Sequence, residues 1–513
     1  MTLPIVEHTS TGIRVSTAAW KVEHSKAHGG AWNSIIFKHG SGKNLLRSAV
    51  SSALRFVRPD PQSESGIYSA FCEHLDSSAR LSIENGSDFV AVVAEGAYRD
   101  ESGKGIPVGF RRRTEYRSHG LVWTTLDIMS ESGCDDVVEV RALDLPLRPG
   151  LSDCYVRFHP TQAGGSDLLG GRAWYELSKS GGTPFLSRYT PLQILCFERG
   201  VEGIEIFPQS ELAQWDCAFK PDIGLGLYMV THDPLGTTIE LDPYCMAFRR
   251  MKLKVQGTTA LRLGIGLPEI KPRAQTHNTI FHAQTGSRWA SDEEIAHLAE
   301  SGVKLIRFHN DYREDGPFWH DGVYPPYNEA GMRELRRVID TAHRHGMKII
   351  PYVSLKELHP DAPAYQTHSR EWMHMAAPSL DIVHTWVGSG EYGGLMCMKS
   401  GWLDFCKQSV DKILSDLPWD GLYFDWTTFH PCCHPGHGRG PYHTDIEGFL
   451  DFLKYCRDRV GAAGMIVIHA SGEPSIIAEN IADLIFVSND QPGQFPAPDL
   501  LVPWRSALFG LKG

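Results

Sequence analysis

The chain reads as a multidomain protein, an all-β sandwich followed by a (β/α)8 TIM barrel, and three observations predict this. Roughly the first 265 residues carry short apolar or alternating runs separated by turn clusters, with no long helical period. After Lys271-Pro272-Arg273 the rhythm changes to β-prone runs alternating with amphipathic helical segments, the pattern of parallel βαβ units. Polar residues also gather just after the later β-prone runs, where a barrel of this kind places its chemistry. No Gly-rich phosphate loop follows the first of those runs, which disfavours a doubly wound sheet.

Residues 1–265 form the predicted sandwich. Leu81-Ser82-Ile83, Phe89 to Val93, Leu121 to Ile128, Val137 to Ala142 and Thr237 to Leu241 have strand lengths and strand composition. Asn85-Gly86-Ser87, Ser118-His119-Gly120, Arg148-Pro149-Gly150 and Ser180-Gly181-Gly182 supply turns between them. Charged residues here read as solvated strand faces, and Glu202 to Trp215 reads as an aromatic loop beside a cleft.

Residues 266–513 form the predicted barrel. Thr279 to Ala283 is the first strand, and the capping box Ser291-Asp292-Glu293-Glu294 opens a helix that Gly302 stops. Val303 to Phe308 is strand two. Met332, Leu335, Val338, Ile339 and Ala342 make one face of the next helix, and Met347 to Val353 is strand three. Leu403, Cys406, Val410, Ile413 and Leu414 line a further helix before strand four, which ends at Asp425. A second capping box, Thr444-Asp445-Ile446-Glu447, begins the helix of Phe449, Leu450, Leu453 and Cys456. Strands five and six are Met465 to His469 and Leu484 to Val487. Gly513 follows soon after, so the barrel is expected to be truncated after strand six or seven, incomplete at its C-terminus.

Composition narrows the function. At 513 residues, 42% hydrophobic and 22% charged, the chain suits two folded soluble domains. A net charge of −11 with no long basic run argues against a nucleic-acid partner and favours a neutral polar one such as a carbohydrate. No apolar run has bilayer-spanning length, so no membrane partner is expected. The N-terminus lacks a signal-peptide pattern, and eleven cysteines without framework spacing suit a reducing compartment, giving a cytoplasmic expectation. No cofactor is expected. Trp319, Trp372, Trp386 and Trp426 are candidate platforms for sugar rings.

The strand ends carry the candidate chemistry. Strand two ends in His309-Asn310-Asp311, strand three leads into Lys356 and Glu357, and strand four delivers Asp425 with Trp426 and His430 after it. His469 and Glu473 follow strand five, and Asp490 follows strand six. Carboxylates at such positions converge on one mouth, and glycoside hydrolysis needs two. The run from Phe429 to Gly438 holds Cys432, Cys433 and three histidines. Its spacing matches no standard zinc finger, so the imidazoles are read as sugar hydrogen-bond donors or as packing on Asp425.

Asp420 to Trp426 resembles the nucleophile strand of the family 36 and family 27 α-galactosidases. Lys348 to Val353, His359 to Ala362 and His368 to Trp372 are similar to their third strand and the loop after it. Met396 to Val410 is similar to the segment leading into their fourth helix-strand unit, and Val487 to Asp490 to their acid/base motif. The resemblance covers roughly residues 278–492 and implies a retaining glycoside hydrolase acting on an α-linked sugar, with Asp425 as nucleophile and Asp490 as acid/base. Asp311, His309, Lys356, Glu357, Trp426, His430, His469 and Glu473 then line the sugar pocket. Tyr423 departs from the family, which carries a sugar-binding Lys there, and Glu473 stands as an alternative acid. Two other readings compete: a metal-dependent hydrolase using the His/Cys loop 430–443, and a non-catalytic carbohydrate-binding barrel.

Overall fold

The computed structural model describes residues 3–60, 63–130, 134–151, 153–158, 174–176, 185–187, 191–198, 202–208, 227–242, 244–245, 253–255, 257–269, 281–284, 288–309, 328–358, 360, 362–377, 380–381, 383–385, 392–425, 431–438, 443–469 and 475–486. These fall into two units, one ending at Glu269 and the other starting at Phe281.

In the first unit, period-two alternation becomes antiparallel strands. Along Leu121–Met129, Val122, Thr124, Leu126 and Ile128 are buried and the residues between them are more open. This strand pairs with Gly105–Arg117 on one side and Thr258–Gly266 on the other. The sheet continues from there through Glu202–Pro208 and Pro191–Glu198 to Asp153–Phe158. Joined to it where Cys72 pairs with Arg99 of the strand Phe89–Arg99, a second antiparallel layer of the same sheet runs from Ser63–Cys72 through Ser51–Asp60, Cys134–Pro146 and Gly236–Asp242 to Leu227–Asp233. Val92, Phe110, Leu126, Ile206 and Leu263 of the first layer share one core with Leu54, Phe71, Val140, Leu145 and Ile239 of the second. Four N-terminal strands from Ile5 to Phe37 add Trp20, Val22, Ile35 and Phe37 to that core.

Two expectations for this unit are corrected. Glu202–Pro208 is a strand, because Ile204 and Ile206 alternate into the core; residues 209–215 lie outside the described residues. Several charged residues are also enclosed rather than solvated. Arg112 makes two hydrogen bonds to Glu73, at 2.9 and 3.0 Å, and Arg141 is held by Asp242, Glu240 and Glu139. A charge shut in between strands persists only where an opposite charge meets it.

His24 gives this unit a pH dependence. It is enclosed, its Nδ1 lies 2.9 Å from the Gly30 carbonyl, and Trp32 Nε1 donates to its Nε2 at 3.2 Å. Burial, with the Arg112 charge adding to it, pulls its pKa down to about 4. The folded state therefore holds His24 neutral while the unfolded chain protonates it below about 6.5. Stability is expected to fall by about 3 kcal/mol as pH drops from 6.5 to 4. Comparing urea unfolding of the wild type and His24→Gln across that range checks this; an identical pH slope in the two proteins refutes it.

In the second unit, sequence periodicity and caps set the helices. Ser291 and Glu294 make the expected capping box on helix α1 (Asp292–Glu300). Asn328 caps helix α2 (Glu329–Arg344), whose Leu335, Val338, Ile339 and Ala342 are buried. Helices α3 (Pro363–Trp372), α4 (Trp402–Asp416), α5 (Ile446–Val460) and α6 (Ile476–Ile481) follow. The second expected capping box is not formed. Asp445 does precede α5, but its carboxylate is turned away from the helix, to partners described below.

Six strands alternate with these helices: Phe281–Gln284, Leu305–Phe308, Lys348–Ser354, Gly421–Asp425, Met465–His469 and Leu484–Phe486. All are parallel and each pairs with the next in the chain, a curled sheet like the first part of a (β/α)8 barrel. Its register stacks side chains in layers on one face. Leu305 lies lowest, Ile350 and Met465 lie in the next layer, and Tyr352, Tyr423 and Val467 lie above them. Phe424 on the opposite face meets Phe452 of α5 at 5.6 Å. No described helix is long and apolar enough to cross a membrane.

Strand four depends on its first residue. Gly421 has φ +153°, and a Cβ there would sit 1.9 Å from the Met465 carbonyl oxygen of strand five. Gly421→Ala must spread two backbones that hydrogen-bond, and is expected to lose roughly 1–3 kcal/mol in chemical denaturation. An unchanged midpoint would show that the two strands separate freely at that end.

Candidate active site

The layer above Tyr352 and Tyr423 is polar. Strand register pairs Ser354 with Asp425, and residue parity puts His309 and His469 on the same face at the carboxyl ends of their strands. Tyr352 donates its hydroxyl proton to Asp425 Oδ2, and His469 Nδ1 lies 2.8 Å from Oδ1. As donor to a carboxylate, that Nδ1 carries the ring proton. The two bonds fix the plane of the carboxylate, and 15% of the Asp425 side chain remains exposed. It is supported from below and still open to a ligand.

Tyr352 is enclosed on every side. His309 stacks on its ring at 4.3 Å, Tyr423 stacks at 5.5 Å, and the Arg307 guanidinium lies 5.4 and 5.0 Å from the two tyrosine rings. Burial, followed by the Asp425 and Glu357 charges, pushes its phenol well above the ordinary range near 10. It therefore stays a hydrogen-bond donor at neutral pH. Tyr423 is a buried part of this stack.

Lys356 and Glu357, expected to line a sugar pocket, are both wholly buried. The Lys356 ammonium is paired with Asp445, and Ser354 Oγ donates to Glu357 at 2.6 Å. Asp445 also accepts from the Met398 backbone N–H at 3.0 Å and lies 3.2 Å from His374 Nε2. Burial alone would raise this carboxyl, but Lys356 and His374 outweigh it and hold Asp445 well below the usual range. His374 mirrors this: burial works to lower it, and Asp445 raises it overall. The physical reason is chain direction. Strand three ends at Ser354, and the hydrogen bond from Leu355 N–H to the Asp425 carbonyl carries the next residues behind strand four.

Other expectations change as well. Trp372 is buried, stacked on His368 at 4.4 Å and packed against Trp402 and Phe405. His434 and His437 turn to backbone rather than to Asp425: their Nε2 atoms lie 3.0 and 2.5 Å from the Arg370 and Glu371 carbonyls, in the last turn of α3. Those carbonyls lack partners within the helix, which makes them natural acceptors. Asp490, Asp311, Trp426, His430 and Glu473 lie outside the described residues, as do Trp319 and Trp386.

The structure thus brings together three expected residues, Asp425, His469 and His309. It adds Tyr352 and Arg307, which the sequence reading missed. Residue parity was the signal available for both: Tyr352 lies two residues before the end of strand three, and Arg307 two before His309.

A family model described as "Domain of unknown function (DUF6259)" matches residues 290–460. No curated protein matches the chain. Among solved structures the chain is similar to the GH36 α-galactosidase AgaB from Geobacillus stearothermophilus, at 10% identity, covering 98% of this chain and 77% of that one, with TM-score 0.47. It is also similar to the galactosidase domain of the α-galactosidase-sucrose kinase AgaSK, at 11% identity over 95% and 75%, TM-score 0.42. A third is the α-N-acetylgalactosaminidase NagBb from Bifidobacterium bifidum, at 13% identity over 96% and 83%, TM-score 0.38.

Proposed function

We propose that this protein is a glycoside hydrolase that cleaves an α-linked sugar by a retaining mechanism, with Asp425 as nucleophile. One observation carries the reading: a part-exposed carboxylate at the carboxyl end of a central parallel strand, its two oxygens hydrogen-bonded by Tyr352 and His469. That arrangement orients a carboxylate for attack on an anomeric carbon. His469 beside Asp425, and His309 stacked on Tyr352 beneath it, are the ring nitrogens proposed to meet sugar hydroxyls. Asp490 is the proposed proton donor, on the sequence resemblance, with Glu473 as the alternative acid.

In the first step Asp425 forms a glycosyl ester as the acid protonates the departing oxygen. In the second, water deprotonated by the same residue releases the sugar with its configuration retained. Incubation with 2-fluoro and 5-fluoro glycosides of several α configurations, followed by peptide mapping, tests this. A label on Asp425 is expected. A label on another residue moves the nucleophile, and sugar binding with neither label nor turnover turns the reading to a non-catalytic carbohydrate-binding protein.

A further inference from the structure

Behind strand four lies a cluster of soft donors that the catalytic proposal does not use. His374 follows α3, Cys397 follows the strand Tyr392–Leu395, and Cys432 belongs to the loop after Asp425. All three are buried, and their donor atoms lie within 4.8 Å of one another. From these positions we infer that His374, Cys397 and Cys432 bind a divalent ion of the zinc class, drawing in His437, which lies beside Cys432 but outside the three-residue cluster, as the fourth ligand.

The surroundings of each donor suit this assignment. Cys432 Sγ accepts from two backbone N–H groups, Met375 at 3.5 Å and His434 at 3.4 Å, an environment that stabilises a thiolate. Its neighbour Cys433 behaves oppositely, donating its S–H to the Met375 carbonyl at 3.2 Å. His374 Nε2 is oriented by Asp445, the carboxylate–histidine arrangement common beside metals, so Nδ1 is the nitrogen for the ion. His437 Nε2 lies against the Glu371 carbonyl, and its Nδ1 is 3.5 Å from Cys432 Sγ. That carbonyl fixes the tautomer in which Nδ1 has the lone pair.

Two sulfurs and two imidazoles make a tetrahedral set for zinc, with metal–sulfur distances of about 2.3 Å and metal–nitrogen distances of about 2.1 Å. Each thiol loses its proton on binding, so one ion displaces two protons and leaves a neutral centre. With four protein ligands the site is closed, and its work is structural. It ties the end of α3 and the strand Tyr392–Leu395 to the loop that follows Asp425. The inference is independent of the proposed reaction.

Metal analysis of the full-length protein, purified under reducing conditions, is the first test. One equivalent of zinc per chain is expected, and its removal by a strong chelator should lower the apparent Tm by roughly 5–10 °C. Cobalt(II) loaded into the stripped wild type should show the visible bands of tetrahedral coordination and a thiolate charge-transfer band. Cys397→Ser and Cys432→Ser should lose the thiolate band in part, and His437→Gln should weaken cobalt binding at least tenfold. Cys433→Ser should change neither. Wild-type protein that takes up neither zinc nor cobalt overturns the inference without reliance on any variant. So does undiminished binding in Cys397→Ser/Cys432→Ser, or an intact mass two hydrogens light that maps to a Cys397–Cys432 disulfide.

Discussion

Asp425→Asn is expected to lower kcat on an activated aryl α-glycoside by roughly four orders of magnitude. Asn keeps the shape and can still accept a hydrogen bond from Tyr352, so the unfolding midpoint should stay within about 2 °C of wild type. What is lost is the charge that bonds to the anomeric carbon and stabilises the oxocarbenium-like transition state. Tyr352→Phe removes one hydrogen bond to the carboxylate and leaves that of His469 in place. Its loss should be about 10- to 100-fold, because one hydrogen bond to a charged group is at stake. Steady-state rates on the sugar that labels the enzyme, with thermal melts as control, check both. If Asp425→Asn retained a tenth of wild-type turnover, the carboxylate would be structural.

Lys356→Met is expected to destabilise the second unit by about 3–5 kcal/mol. Both Lys356 and Asp445 are wholly buried, and the carboxylate they share with His374 has no access to water. Removing the ammonium takes away the lysine charge and leaves the contacts of Asp445 with His374 and the Met398 amide in place. Adding Asp445→Leu to Lys356→Met should cost less than the two single losses summed, since the second change removes the charge that the first leaves unmatched. Urea unfolding followed by tryptophan fluorescence measures the set. A loss below about 1 kcal/mol for Lys356→Met would mean that water or another cation reaches Asp445.

These two predictions mark how differently parts of the site could be read from the chain. The place of Asp425 at a strand end was legible because a short apolar run closes in a carboxylate after Asp420-Gly421. His469 was legible by the same logic on the next strand. Lys356 and Glu357 follow a strand in the same way, and that pattern pointed to the wrong place. Which way a loop turns after its strand depends on what it meets, and Lys356 meets Asp445, 89 residues later in the chain. Asp445 was itself misread for a related reason. Thr444-Asp445-Ile446-Glu447 has capping-box spacing, but a buried ammonium outcompetes the helix N–H groups for the carboxylate.

What the sequence determined by itself is local or periodic: alternation in the first half, capped amphipathic helices and β-prone runs in the second, and the carboxylate that closes strand four. Hydrophobic period and turn chemistry act between near neighbours, so they leave their mark on consecutive residues. Only the tertiary structure decided which polar side chains share a buried partner. It put Tyr352 beneath Asp425, Lys356 against Asp445, and His374, Cys397 and Cys432 within reach of one ion. The charged pairings are set by desolvation, which penalises any buried charge without a partner, and the partner that answers it need not be near in the chain.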